Sequence, residues 1–251
     1  MTRIDGLLDL TFIKPDWPAP ANVQAIQTTR QGGVSLPPYD GLNLAMHVAD
    51  EAAAVMQNRQ LLRSFLPSEP VWLNQVHGLS VVDAATVQGV PDADASYARQ
   101  ANVVCVTMTA DCLPVLLCDR AGSVVSAVHA GWRGLCDGVI EAAVANMRVD
   151  ASDLLAWLGP AIGPQAFEVG SDVRAQFLQH DAQAASAFKP SGEKWLANLY
   201  DLAQQRLKAL GLTDIYGTGS HFCTHSDASR FFSYRREALT GRMASLIWLS
   251  A

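Results

Sequence analysis

Three segments in the middle of the chain constrain the fold more than anything else in the sequence. Val103–Thr109, Leu113–Asp119 and Ser123–His129 are short, β-branched runs, and the first two are apolar almost throughout. A strand with one wet face alternates apolar and polar residues, so uninterrupted runs predict strands covered on both faces. The chain must therefore supply a layer on each side of a sheet. Its 251 residues, 49% hydrophobic and 17% charged, provide that material and exclude a disordered, collagen-like or low-complexity chain. A net charge of −6 argues against a general nucleic-acid binder.

Further strands are predicted at Val71–His77, Leu79–Asp83, Leu154–Leu158, Thr213–Gly217 and Ser245–Leu249. Helices are predicted from Asp50, as N-cap, to Phe65; from Ala130–Gly134 to Met147; over Ser171–Gln179; and over Lys194–Leu210, closed by Gly211. With no internal repeat and no long linker, residues 1–251 read as one domain, an α/β or α+β sandwich with a mixed sheet. Asp5, Asp9 and Lys14 interrupt the first residues, so no secretory leader is expected, and no apolar run reaches membrane-spanning length. Five scattered cysteines suit a reducing compartment, so a cytoplasmic location is expected.

Three metal-competent residues stand at strand ends, where a rigid scaffold meets an open edge. His77 closes one predicted strand, Cys112 lies between two, and His129 closes another. Two imidazoles and a thiolate make a zinc set with a fourth position open to water, the catalytic arrangement. The spacings of 35 and 17 residues match no short zinc motif. Two other readings therefore stay open: Cys112 as a nucleophile with His129 as its base, oriented by Asp111, or three residues with purely structural roles.

On the predicted helix before Pro67, Val55, Leu62 and Phe65/Leu66 form the apolar stripe, and Arg59 falls on the same stripe. An inward guanidinium needs a partner, either a carboxylate or a bound anion. Gly131–Trp132–Arg133–Gly134 opens a helix and suits phosphate binding or close packing, packing being preferred. Arg235–Arg236 suits an anion clamp or surface ion pairs. His221 and His225 flank Cys223 without a fourth ligand and read as structural or surface residues. His47 and His180 suggest no role.

Taken together, Asn74–Gln75–Val76–His77–Gly78, Thr109–Ala110–Asp111–Cys112–Leu113–Pro114–Val115–Leu116 and His129–Ala130–Gly131–Trp132–Arg133–Gly134 resemble the YfiH family. That family is also called the polyphenol oxidase or multicopper laccase domain family, and the zinc-dependent purine nucleoside phosphorylases. The likeness extends to Thr29–Arg30–Gln31–Gly32–Gly33–Val34–Ser35, Gly41–Leu42–Asn43–Leu44, Leu158–Gly159–Pro160–Ala161–Ile162–Gly163–Pro164, Glu168–Val169–Gly170 and Phe232–Ser233–Tyr234–Arg235–Arg236. It implies a single-domain α/β/α-type fold shared with a deamidating toxin domain, and a metal held by His77, Cys112 and His129. It further implies that Asn43 and Arg59 help hold substrate and phosphate; Arg235, from the anion-clamp reading above, is a third candidate for binding. The sequence departs from relatives at Gln165–Ala166–Phe167, where cysteines are common.

The family's names imply different chemistries, and ligand count separates them. A multicopper oxidase needs several paired histidines beyond a His₂Cys centre. Only His47, His180, His221 and His225 remain, and none forms a His-x-His pair. Zinc is therefore the expected metal, with copper an in vitro substitute. The expected activity is phosphorolysis of purine nucleosides, with Arg59 positioning phosphate, together with adenosine deamination by a zinc-activated water attacking C6. Two alternatives remain: an amide hydrolase editing cytosolic peptidoglycan precursors, through zinc-water or Cys112, and a non-catalytic metal-binding module. A copper-dependent laccase is disfavoured.

Overall fold

The computed structural model describes residues 10–217 and 222–251. Two sheets stack face to face. The first is antiparallel and runs in the order β1 (Phe12–Ile13), β2 (Val23–Thr28), β13 (Met243–Leu249), β5 (Cys105–Thr109). The second is mixed and runs β12 (Asp214–Tyr216), β8 (Leu154–Leu158), β6 (Leu113–Asp119), β7 (Val125–Ala130), β4 (Ala95–Ala98), β3 (Val81–Asp83). Its two edge pairs, β12 with β8 and β3 with β4, are parallel, and the inner pairs are antiparallel.

The period of two residues along each strand assigns the layers. Along β6, Leu113, Val115 and Leu117 face helices α2 (Trp132–Asp137), α3 (Val139–Met147) and α5 (Leu199–Ala209). Leu116 and Cys118 point the other way and meet Cys105, Met243, Ile247 and Leu249 from the first sheet. Val106, Met108, Ala244, Leu246 and Trp248 on that sheet's far face pack with Leu62 of helix α1 (Ala52–Arg63). The mixed α/β architecture expected from the sequence is present, its middle layer doubled into two sheets. The apolar runs are buried on both faces because each sheet has a sheet on one side and helices on the other.

Several boundaries differ from the sequence reading. Val71–His77 forms only isolated bridges, Val71 with Cys105 and Asn74 with Asp92. The predicted helix ending at Met147 is two helices, because Gly138 between them adopts φ +109°. Lys194–Ala197 is strand β11, not helix. It pairs with β10 (Phe188–Ser191) and β9 (Glu168–Val169), and α5 begins only after Asn198 caps Tyr200 and Asp201. Glu51, rather than Asp50, occupies the N-cap of α1, because the Asp50 carboxylate is engaged by Ser35 Oγ at 2.7 Å and Asn43 Nδ2 at 2.8 Å. Helix α4 (Ser171–His180) lies where predicted. Among the described residues no helix is long and apolar enough to cross a membrane.

Candidate metal centre

Cys112 sits in the turn that carries the chain from β5 of one sheet to β6 of the other. His129 is on β7, beside β6, with Pro114 opposite it in register. His77 arrives on the loop after the Val71 bridge. Gln75 stitches that loop to β5: its side chain donates to Met108 O at 2.8 Å and accepts from Met108 N at 2.7 Å. These elements bring the ligand atoms of His77, Cys112 and His129 within 4.8 Å of one another. Cys112 Sγ lies 3.7 Å from His77 Nε2, and the two imidazole rings meet edge to face with centroids 4.8 Å apart.

One fully buried carboxylate organises both histidines. Asp94 Oδ1 accepts from His129 Nδ1 at 2.8 Å and from the His77 N–H at 2.9 Å, and Oδ2 accepts from the N–H groups of Gly78 at 2.6 Å and Val76 at 3.2 Å. The bond at Nδ1 fixes the His129 tautomer and frees Nε2 for the site, the usual support for a metal-ligating imidazole. Burial works against the Asp94 charge, but these hydrogen bonds outweigh it and hold the carboxyl below its ordinary range. The backbone is strained here, with His77 at φ +59° and Asp111 at φ +99°. Such conformations cost about 1–3 kcal/mol each and persist where surrounding bonds over-determine them.

Burial alone would push the Cys112 thiol up, yet the charge and hydrogen bonds of His129, then of His77, override it and hold the thiol down. Burial would likewise depress His129, and Cys112 and Asp94 raise it instead. The site therefore favours a thiolate, the form that binds metal. Gly131 completes the cradle: a Cβ there would lie 2.6 Å from His77 Cδ2 and 3.1 Å from Cys112 Sγ. At Gly134 a Cβ would meet Gly78 O at 3.2 Å, so these glycines serve close packing, as preferred from the sequence.

The centre lies in the wall of a cavity of about 660 Å³, within the ~300–1,000 Å³ range of small-molecule sites. Trp132, Phe167 and Tyr234 give it aromatic surfaces, and Arg235, Arg242 and His47 give it polar ones. His47, expected to be without a role, thus belongs to the site, as do Asp94, Gln75 and Arg242, which the sequence reading passed over. Asp111 does not orient His129. Its carboxylate is taken by Thr224 Oγ1 at 2.6 Å and the Arg235 N–H at 2.7 Å, and Asp94 holds the imidazole instead.

Arg59 and Asn43 do not line the cavity. The Arg59 guanidinium donates from Nε to Leu44 O at 2.9 Å and stacks over the Trp72 ring at 3.7 Å. Burial, against the pull of Glu69, pushes its pKa down to about 10. Asn43 is fully buried and spends its amide inside the protein: Nδ2 donates to Asp50, and Oδ1 accepts from the N–H groups of Ala45 and Arg242. Arg235 faces the cavity while Nη1 holds the Glu168 carbonyl at 3.0 Å. Arg236 instead braces the carbonyls of Thr224, His225 and Phe231. Cys223 Sγ accepts from the Gly163 N–H at 3.2 Å, and His221 lies outside the described residues.

Cys136, Asp137 and His180 form a second cluster with metal-ligand chemistry. Burial and the Asp137 charge push the Cys136 thiol up to about 11, so it stays protonated and a poor ligand.

With this geometry in view, residues 24–250 match the multi-copper polyphenol oxidoreductase laccase family. The chain belongs to that family. A purine nucleoside phosphorylase of Pseudomonas aeruginosa is 54% identical over 240 residues, covering 95% of this chain and 98% of the relative. The purine nucleoside phosphorylase YfiH of Escherichia coli is 53% identical over 244 residues, with coverage of 95% and 98%. Among solved structures, a Neisseria meningitidis protein superimposes with a TM-score of 0.92 at 50% identity, over 96% of this chain and 99% of that one. YlmD from Geobacillus stearothermophilus does so with a TM-score of 0.83 at 27% identity, over 96% of each. The copper in the family's description is not matched by a second cluster of imidazoles among the described residues of this member.

Proposed function

We propose that this protein is a zinc-dependent purine nucleoside phosphorylase that also deaminates adenosine. The observation that carries the reading is the convergence of His77, Cys112 and His129 on the wall of an aromatic-lined cavity. The names borne by the Pseudomonas and Escherichia relatives, matched over nearly their whole length, support the substrate class.

His77, Cys112 and His129 would hold the zinc, and the donor set fits it: a stabilised thiolate, an imidazole fixed by a carboxylate, and no fourth protein ligand among the described residues. When bound, zinc supplies a redox-inert Lewis acid with a free coordination position. Trp132, Phe167 and Tyr234 offer surfaces on which a purine ring can lie, and Ile162, Val169 and Val173 exclude water around it. Arg235, tied to the Glu168 carbonyl, borders the substrate. Asn43 and Arg59 serve the cavity from behind, Asn43 by fixing the backbone of Arg242 and Arg59 by bracing the Leu44 carbonyl.

Zinc-loaded protein with adenosine and inorganic phosphate is expected to yield adenine and ribose 1-phosphate, with inosine appearing through deamination, and chelation should abolish both. Absence of all these products at high enzyme concentration, with stoichiometric zinc, would sink the reading.

Asp94→Asn should lower zinc affinity by about 10–100-fold in competition with a chromophoric chelator. A carboxamide has one oxygen where the carboxylate uses two, so an NH₂ group is turned towards backbone N–H donors. Unchanged affinity would mean that the histidines hold their places without the carboxylate.

A further inference from the structure

We propose that Arg242, with His47, forms the subsite for the phosphate cosubstrate, a role that rests on the phosphorolytic reading above. Arg242 lines the cavity and is anchored at one end only. Its Nη1 donates to Thr240 O at 2.9 Å and Gly241 O at 3.0 Å. Its backbone N–H is held by the buried Asn43 Oδ1 at 3.0 Å, and its carbonyl accepts from the Leu44 N–H at 3.3 Å. The face of the guanidinium looks onto the Tyr234 ring, 5.9 Å away, and Nε and Nη2 have no hydrogen-bond partner among the described residues, which leaves the side edge free. Two parallel N–H groups on that edge match two oxygens of a tetrahedral oxyanion, and the anchored end holds the fork in place before the anion arrives.

The electrostatic surroundings select this arginine over the other two candidates. His47, beside it in the cavity, is depressed by burial and then by the positive charges of Arg242 and Arg59, so positive potential converges there. The anionic neighbours of Arg242 are Cys112 and Asp111. The first is committed to the metal set, and the second to Thr224 and the Arg235 N–H. Arg235 also has an edge without a hydrogen-bond partner among the described residues, but it is exposed and sits by the Glu168 carboxylate, which opposes a second anion. Arg59 is outside the cavity, on Trp72. In the reaction, a phosphate oxygen bonds to C1′ of the ribose as the C1′–N9 bond breaks. The bonding pair leaves with the purine, and a proton carried in by the phosphate ends on the departing base. Arg242 holds two of the phosphate oxygens that do not react.

The test compares zinc-loaded wild type with Arg242→Gln, Arg242→Lys and Arg59→Gln, using inorganic phosphate as the probe. Arg242→Gln should raise the KM for phosphate by about 10–100-fold and change the KM for nucleoside far less, the loss of one charge-assisted bidentate contact. Arg242→Lys should recover only part, because a point charge replaces a fork. Phosphorus NMR titration without nucleoside should show phosphate binding to wild type and its loss in Arg242→Gln. Phosphorolysis by wild type with the same phosphate KM in Arg242→Gln, or a phosphate defect confined to Arg59→Gln, overturns the subsite and leaves the phosphorylase reading intact. Arg242-dependent phosphate binding without release of base supports the subsite and overturns that reading.

Discussion

Cys112→Ser and Cys112→Ala, prepared under conditions that load the wild type with zinc, should both lose the metal, and turnover should fall by about 10³-fold or more. The expectation follows from the environment of the thiol. His129 and His77 hold it towards the thiolate despite its burial, and a thiolate is the one donor of the three that carries negative charge. Serine keeps the shape but has a hydroxyl that does not ionise at neutral pH, so shape alone should not rescue metal binding. Elemental analysis and activity measured on the same preparations decide the point. If both variants keep stoichiometric metal and lose activity, the thiol is a nucleophile and the amide-hydrolase chemistry weighed from the sequence regains its standing.

Gly131→Ala should be nearly as damaging, although no polar group is removed. The backbone at Gly131, φ −62° and ψ 154°, accepts any residue, so the whole effect comes from the added methyl. That methyl would sit 2.6 Å from His77 Cδ2, inside contact distance, and 3.1 Å from Cys112 Sγ. His77 cannot retreat, because Asp94 pins its own N–H and those of Val76 and Gly78, and Gln75 ties the loop to β5. Zinc affinity should drop by about 100-fold or more, with roughly 1–3 kcal/mol of overpacking lost from stability. Chelator competition and thermal denaturation measure the two effects separately. Zinc held with wild-type affinity by Gly131→Ala would show that the loop yields where its hydrogen bonds say it should not.

The metal-ligand candidates were legible because their neighbours were. Cys112 and His129 flank runs so apolar that only buried strands fit, and strand ends are where polar groups become accessible. Their supports were not legible. Asp94 precedes β4, a strand of four residues that neither alternates nor runs apolar, and only the pairing of β4 with β7 brings it behind His129. Arg242 precedes β13 and reaches the cavity because that strand lies between β2 and β5. A residue brought in by sheet order leaves no periodic trace in its own segment. Arg59 is the opposite case. Its inward placement was read correctly, but an aromatic face and a carbonyl satisfy a guanidinium as well as an anion does, and spacing cannot tell them apart. The same holds at Lys194–Ala197, where helical composition yields to pairing with Val169.

Cys112 occupies the crossing from one sheet to the other, while His129 belongs to the second sheet alone and His77 hangs on a loop laced to the first. Asp94 ties the same loop to the second sheet, so the three candidate ligands meet at the seam between the two. On the proposed reading, an ion held there would act as a rivet through both layers, and its uptake would report that they have docked. Partial opening along that seam should then release the ion before any helix melts, so that, on heating zinc-loaded protein, metal loss should precede the loss of helical circular dichroism.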